Sequence, residues 1–333
     1  MTLFRDLYSW QARLHFGRWD NFELWRKAVE KKSLRWLQYP PTISLPTIKG
    51  RKYKKRATLS VQSWQAAGLL MGLDGEQVKK YAKKHLDCLP QCEDVEAALL
   101  AYAFKQKGIL SLEAETLIRN RFANYLDSGT IPYRSNKKDI RYVDTIGMTC
   151  PFLYSSGMEA LADRQIDEYD QALYNGIFPF HAFSLSSHLP MGVCDWSRGV
   201  GWYILGIIES GKQEERILKL AEEMLSLQHP DGCFGYFLFN SESRPESSGT
   251  ALAGLLFIRA YQICKDPRFI IAAKKTEQAL MRMTRRDGSV DYSQGDTEGI
   301  GAYSPLFDIM PFTQGMTLLL SKRLDVCFER TIE

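Results

Sequence analysis

Histidine is scarce in this chain, with five in 333 residues. The seven cysteines are odd in number and mostly scattered; only Cys88 and Cys92 stand close, and no second cysteine pair or histidine pair completes a zinc-binding pattern. No cysteine has a histidine partner at a diagnostic spacing, so free thiols in a reducing compartment are expected. Long apolar runs are missing too. No stretch approaches the roughly 18 apolar residues of a membrane span, and Met1 to Leu7 lacks the apolar core of a secretory signal. Together these point to a cytoplasmic protein. Net charge is only +4. One basic cluster, Lys49-Gly50-Arg51-Lys52-Tyr53-Lys54-Lys55-Arg56, has no second basic stripe to support nucleic-acid binding. It reads as a solvated loop before a helix. A phosphate-binding glycine loop is absent, because Gly199-Val200-Gly201 lacks the third glycine and the preceding strand. Ser155-Ser156-Gly157 does not make a nucleophile elbow.

What is present is the balance of a globular protein. Hydrophobic residues make up 45% and charged residues 25%. Helical periodicity runs through Trp19 to Leu37, Leu59 to Leu73, Asp94 to Lys107, Leu112 to Leu126 and Gly201 to Ser210. It continues through Glu214 to Gln228, Gly249 to Cys264, Pro267 to Met283 and Phe312 to Leu324. Strand-like alternation is rare, and Phe234 to Phe239 is its best example.

The breaks between helices have a rhythm. Asp127-Ser128-Gly129 precedes Pro132-Tyr133, Asp231-Gly232 precedes Gly235-Tyr236, and Asp287-Gly288 precedes Asp291-Tyr292. The last two are separated by about 55 residues and the first two by about twice that, a helix-pair period. Helices also come in two kinds. Ser60 to Gly72, Ser248 to Leu256 and Thr313 to Leu320 are rich in small residues, whereas Glu214 to Gln228 and Arg268 to Met283 are charged and amphipathic. A buried inner ring inside a solvated outer ring accounts for both kinds. The expected fold is an all-α (α/α)6 barrel, a six-hairpin toroid. It forms one domain over residues 1–333, in which residues 1–56 are a helical and basic part without an assigned role.

Three segments carry candidate chemistry. Asp195-Trp196-Ser197-Arg198-Gly199-Val200-Gly201-Trp202 sets an arginine between two indoles. Such a group suits a carboxylate on a sugar ring, since the guanidinium fork binds the charge and the rings stack. It equally suits a tight loop entering a buried helix. Arg141 to Leu153 places Asp144 at the head of an apolar run. There an aspartate either caps the helix or, desolvated, holds and donates a proton near neutral pH. Phe178-Pro179-Phe180-His181 sets a histidine among aromatics, as a structural residue or a site residue. Asp94 is another carboxylate at a helix start, with the same two readings.

Taken in order, these segments resemble glycoside hydrolase families 88 and 105, the unsaturated glucuronyl and unsaturated rhamnogalacturonyl hydrolases. The resemblance rests on Tyr142-Val143-Asp144-Thr145 with Met148 and Pro151-Phe152-Leu153, on Pro179-Phe180-His181-Ala182, and on Trp196 to Trp202. It continues in Ser247-Ser248-Gly249-Thr250-Ala251 and Gly299-Ile300-Gly301-Ala302, and covers roughly residues 60 to 320. It implies an (α/α)6 barrel that needs no metal or organic cofactor. It also implies that Asp144 is general acid and base, with His181, Trp196, Arg198, Trp202 and Asp94 binding the sugar. The implied partner is an oligosaccharide ending in a 4,5-unsaturated uronic acid, with no nucleic acid and no membrane, on a monomer or homodimer. Val200 stands where the families usually carry asparagine. Two other readings remain. A sugar epimerase on the same barrel would want more paired histidines. A non-catalytic helical scaffold would feel Asp144→Asn only in its stability.

Overall fold

The structure, a computed structural model, describes residues 19–46, 52–56, 59–92, 94–297 and 299–332. Among these residues twelve α-helices alternate between two layers. The inner helices are α2 (Leu59–Gly72), α4 (Asp94–Gln106), α6 (Val143–Ser155), α8 (Ser197–Ile208), α10 (Ser247–Cys264) and α12 (Pro311–Ile332). Each packs on the next, and α12 packs back on α2, so the ring closes. The outer helices are α1 (Phe22–Gln38), α3 (Glu76–Leu86), α5 (Leu112–Arg121), α7 (Glu159–Tyr169), α9 (Glu214–Leu227) and α11 (Pro267–Arg282), each against its inner neighbour. This is an (α/α)6 barrel.

Burial follows the composition of each layer. Every residue of α8 is buried, as are ten consecutive residues of α4 from Val95 to Phe104. By contrast, α9 buries only Ile217, Leu220, Ala221 and Met224, the one-face spacing of a surface helix. Local signals set the ends. The Asn21 side chain accepts from Leu24 N at 2.9 Å before α1. Asp266 accepts from Arg268 N at 2.9 Å, with Pro267 opening α11. Lys265 adopts φ 59° after α10, the left-handed turn that ends many helices.

The inner ring is tight because glycine lies at its seams. At α2/α12, a Cβ on Gly72 would run into the backbone of Gly315, and one on Gly315 into Gly68. At α6/α8, a Cβ on Gly147 would lie 2.5 Å from Trp202 O, and at α8/α10 one on Gly201 would lie 2.5 Å from Leu252 Cδ1. Against backbone, as at Gly72, Gly315 and Gly147, such distances are forbidden, and at Gly201 the Leu252 side chain would have to move.

Short strands decorate the helix connections. β1 (Thr42–Pro46) and β2 (Lys52–Arg56) form an antiparallel hairpin in which Thr42 faces Arg56. The described half of the basic cluster is therefore strand rather than loop, because its backbone finds a partner in Thr42–Pro46; 49–51 lie outside the described residues, as does the 1–7 segment. The strands β3 (Ile140–Tyr142), β6 (Ala182–Ser184) and β7 (Pro190–Met191) make a three-stranded sheet with β6 central. Two-residue pairs, β4 (Leu173–Tyr174) with β5 (Phe178–Pro179) and β8 (Ser293–Gln294) with β9 (Phe307–Asp308), complete the set.

The structure departs from the sequence expectations elsewhere too. Phe234–Phe239 is not a strand; it makes single bridges, Trp196 with Phe237 and Gly235 with Pro245. The helix from Leu112 ends at Arg121, and Ala123–Tyr125 is a separate 3-10 turn. α3 and α7 were not anticipated, although Val78, Ala82 and His85 in α3 have one-face helical spacing. A helix starting near Asp144 was one of two readings there, but its course through Pro151 was not anticipated. All seven cysteines are free. No helix among the described residues is long and apolar enough to cross a membrane.

Replacing Gly315 by alanine sets a methyl group against the α2 backbone. The expected loss is about 1–3 kcal/mol, read as a lower midpoint in thermal or denaturant unfolding, whereas alanine at Gly299, where a Cβ meets nothing within 4 Å, leaves the midpoint near that of the parent.

Candidate active site

A cavity of about 210 Å³ opens where the inner helices begin. Trp64 reaches it from α2, Glu96 from the first turn of α4, Asp144 and Met148 from α6, and Arg198 and Trp202 from α8. Loops add Tyr133 and Arg134, which precede α6, Trp196 before α8, and Asp296 and Thr297 before α12.

Asp144 is the second residue of α6. The N-cap position is Tyr142, so Asp144 does not cap the helix. Its Oδ2 is buried and has no hydrogen-bond partner. The β3–β6 pairing sets what faces it. Tyr142 pairs with Ala182, and Val143 N donates to His181 O at 2.9 Å, so the imidazole follows the carboxyl into the site. His181 Nε2 stands 3.7 Å from Asp144 Oδ2, beyond a good hydrogen bond. Burial pushes Asp144 up to about 6; Arg198 pulls the other way and Asp296 adds to the rise. Burial, helped by Arg198, pushes His181 down to about 4. Near neutral pH the imidazole is therefore uncharged, and the contact is no ion pair.

Aromatic packing holds this pair. The His181 ring lies 4.7 Å from Trp196, 5.5 Å from Tyr303 and 5.7 Å from Tyr142, centroid to centroid. Trp196 Nε1 donates to Gln294 Oε1 at 2.8 Å. Tyr303 Oη accepts from Val193 N at 3.1 Å. Burial pushes the Tyr303 hydroxyl up to about 12, so it stays protonated. On the other wall Trp202 packs 5.8 Å from Trp64 and 4.6 Å from Phe312.

Arg198 differs from the simple expectation of a free fork. Its Nη1 donates to Gln294 O, and its Nη2 donates to Gly295 O at 2.6 Å. The guanidinium also lies over Trp196, 5.4 Å from the ring centroid. It thus straps the loop before α12 to the start of α8 while still lining the cavity. The glycines around it have distinct causes. A Cβ on Gly199 would lie 2.6 Å from the Trp196 ring, and Gly201 yields to Leu252 of α10. Val200 is buried in the core.

Asp94 does not line the cavity. It opens α4 at the surface, 3.4 Å from Arg121 Nη1, with its side chain 59% exposed. One helical face explains this: two residues on, Glu96 points inward and is buried. Glu96 Oε2 accepts from Ser63 Oγ at 2.8 Å, and Oε1 from Arg134 Nη2 at 3.2 Å. Glu96 had a visible signal, a lone carboxylate inside the apolar run Val95 to Phe104. Arg134, Gln294, Asp296 and Tyr303 had none, since they reach the site through loops.

No protein-family model matches the sequence, and no curated protein is similar to it by sequence. Solved structures are similar in shape. A possible member of glycoside hydrolase family 105 from Klebsiella pneumoniae superposes with a TM-score of 0.69 at 15% identity, covering 94% of this chain and 96% of that one. An unsaturated glucuronyl hydrolase specific for heparin gives 0.67 at 14% identity, covering 92% and 98%. The unsaturated glucuronyl hydrolase of Bacillus sp. GL1 gives 0.63 at 15%, covering 89% and 94%. The fold is that of glycoside hydrolase families 88 and 105. In this chain the barrel of that type carries its polar cavity where the inner helices begin.

The state of Asp144 has a consequence for stability. Its folded value, about 6, stands above the ordinary 3.8. Its contribution to stability is therefore full below about pH 4 and is lost as pH rises through 6, where an ionised carboxylate must stay buried, at a cost on the order of 3 kcal/mol. Asp144→Asn is expected to raise the melting temperature at pH 8 and leave it nearly unchanged at pH 4, as followed by circular dichroism.

Proposed function

We propose that this chain is a glycoside hydrolase that removes a 4,5-unsaturated uronic acid from the end of an oligosaccharide, with Asp144 as its acid and base. The observation that carries this reading is the Asp144 carboxyl: buried, with Oδ2 unpartnered, raised to about 6, and open to a small aromatic-walled cavity. An acid of that strength is partly protonated near neutral pH, as proton donation requires. The cavity suits one sugar ring, so attack at a chain end fits better than attack in the middle. Arg134 and Arg198 line it beside the carboxylates and offer positive charge to an anionic sugar. Similarity of fold to unsaturated glucuronyl hydrolases supports the reading.

In this chemistry the C4=C5 bond of the terminal sugar is an enol ether. Asp144 gives its proton to C4, and positive charge develops at C5 beside the ring oxygen. Water then attacks C5 while Asp144, now a carboxylate, takes its proton. The hemiketal formed at C5 opens and releases the neighbouring sugar. One carboxyl serves both steps because the alkene, not the glycosidic oxygen, is protonated. Ordinary glycosidases instead need two carboxylates at a set separation. His181, uncharged and packed on Trp196, keeps the carboxyl in a dry setting without neutralising it. Trp196 and Trp202 form walls for the ring. We read the whole chain as one catalytic domain, and its seven free thiols favour the cytoplasm.

The test is loss of the ultraviolet absorbance of the C4=C5 bond in a panel of lyase-generated unsaturated disaccharides. The parent protein removes it, and Asp144→Asn loses activity by about 10²–10⁴-fold or more while remaining folded. Failure on every disaccharide with folded protein would sink the reading.

The pH profile supplies a second check. Because the protonated Asp144 starts the reaction, the rate is expected to fall as pH rises above about 6. A rate that climbs steadily to pH 8 would exclude this role for Asp144.

A further inference from the structure

The connection after α9 carries His229-Pro230-Asp231-Gly232-Cys233. In sequence no cysteine has a recognisable histidine partner; in the fold Cys233 has one. One ligand-capable atom from each of His229, Asp231 and Cys233 lies within 4.8 Å of the others. His229 Nδ1 and Cys233 Sγ are 3.8 Å apart. A tetrahedral ion with bonds of about 2.0 Å to nitrogen and 2.3 Å to sulfur spans roughly 3.5 Å between those atoms. We propose that this trio is a site for a zinc-class divalent ion, held by His229 Nδ1, the Asp231 carboxylate and the Cys233 thiolate, with water as the fourth ligand.

The loop holds the three groups ready. His229 N donates to Cys233 O at 3.1 Å, and Gly232 N donates to His229 O at 2.8 Å. Asp231 Oδ1 accepts from Cys233 N at 3.2 Å, which fixes the carboxylate and leaves its other oxygen for an ion. Gly232 sits at φ 88°, and a side chain there would strike the backbone of Lys275 in α11. The ligand set matches a borderline-soft cation: a buried sulfur, an imidazole and an exposed carboxylate that leaves one side open to water. The Cys233 sulfur is buried and faces His229 Nδ1. Ligation of an ion by the thiol forms a metal–sulfur bond and releases one H⁺.

This position is separate from the cavity but tied to its wall. The same loop continues to Phe234 and Tyr236; Ser197 N donates to Tyr236 O at 3.0 Å, and Glu246 N donates to Phe234 O at 2.9 Å. An ion at the root of the loop therefore stiffens the segment that supports the starts of α8 and α10.

The experiment titrates chelator-treated full-length protein with cobalt(II), followed by absorbance, and with zinc(II), followed by thermal melting. One equivalent of cobalt is expected to give a sulfur-to-cobalt charge-transfer band with tetrahedral visible bands, and zinc to raise the melting temperature. C233S removes the band and the zinc shift. H229A, which leaves the thiol in place, weakens binding by at least about tenfold, since losing a ligand costs no less than losing its outer partner. Absence of a band, or a band that survives in C233S, overturns the site and leaves the trio as a thiol–imidazole contact in a tight turn.

Discussion

The closure of the inner ring is the constraint on which the rest depends. A toroid of six hairpins is sound only if its last inner helix meets its first. Here α12 meets α2 backbone to backbone, through Gly68, Gly72 and Gly315. Among the contacts between inner helices it is also the most distant in sequence, so folding must bring far parts of the chain together before it yields any energy. Its consequence reaches the cavity. One turn from the glycines, Phe312 of α12 packs 5.5 Å from Trp64 of α2 and 4.6 Å from Trp202 of α8. A looser seam would separate the two tryptophans that form one wall. Precision at the site is thus inherited from small residues with no chemistry of their own.

The electrostatics of the cavity set two effects against each other. Asp144 lies in the first turn of α6, where free N–H groups and the helix dipole favour a carboxylate. That alone would hold its pKa down. Burial opposes this and wins, with the carboxylate Asp296 on the same side. Arg198 could have tipped the balance back, since an adjacent guanidinium lowers a carboxyl strongly. Its fork, however, is spent on the carbonyls of Gln294 and Gly295. His181 is also held uncharged, so it does not neutralise Asp144 as an imidazolium would. The acid stays weak because burial outweighs the pull of Arg198 and Arg134, and the uncharged His181 adds none.

The layered helices were legible in the sequence because two compositions alternated with a period, and each composition follows from one kind of burial. Asp144, His181, Trp196, Arg198 and Trp202 were singled out by the ordered family resemblance, while the residues alone left a structural reading open for each; the structure brings them together at the cavity, with His181 beside Asp144. Asp94 misled for a simple reason. Two carboxylates two residues apart at a helix start face opposite ways, and sequence does not say which way is inward until the ring is built. The loop residues were silent for another reason. Gln294 earns its place by bonding Trp196, nearly a hundred residues away, and no local pattern encodes that. Pro151 hid the course of α6, since proline usually ends a helix, whereas here it stands within one whose neighbours are all buried.

The two ends of the barrel complete the argument. Inner helices separated by antiparallel outer ones all run the same way. Their starts meet at the cavity, and their ends meet at the opposite face, where Met71, Tyr102, Gln106 and Arg323 lie together. That face is tied by charge. Tyr102 Oη donates to Glu209 Oε2 at 2.7 Å, and Arg323 Nη2 donates to Glu209 Oε1 at 2.6 Å, which joins α4, α8 and α12. Burial pushes the Glu209 carboxyl up, but Arg323 and the hydrogen bonds hold it below its ordinary value. Breaking one member would leave a buried charge uncompensated, so the knot holds that end fixed. The other end gathers helix starts, whose dipoles favour an anion, around an acid that desolvation raises to about 6. Both features fit the proposed substrate, a negatively charged sugar that needs one proton.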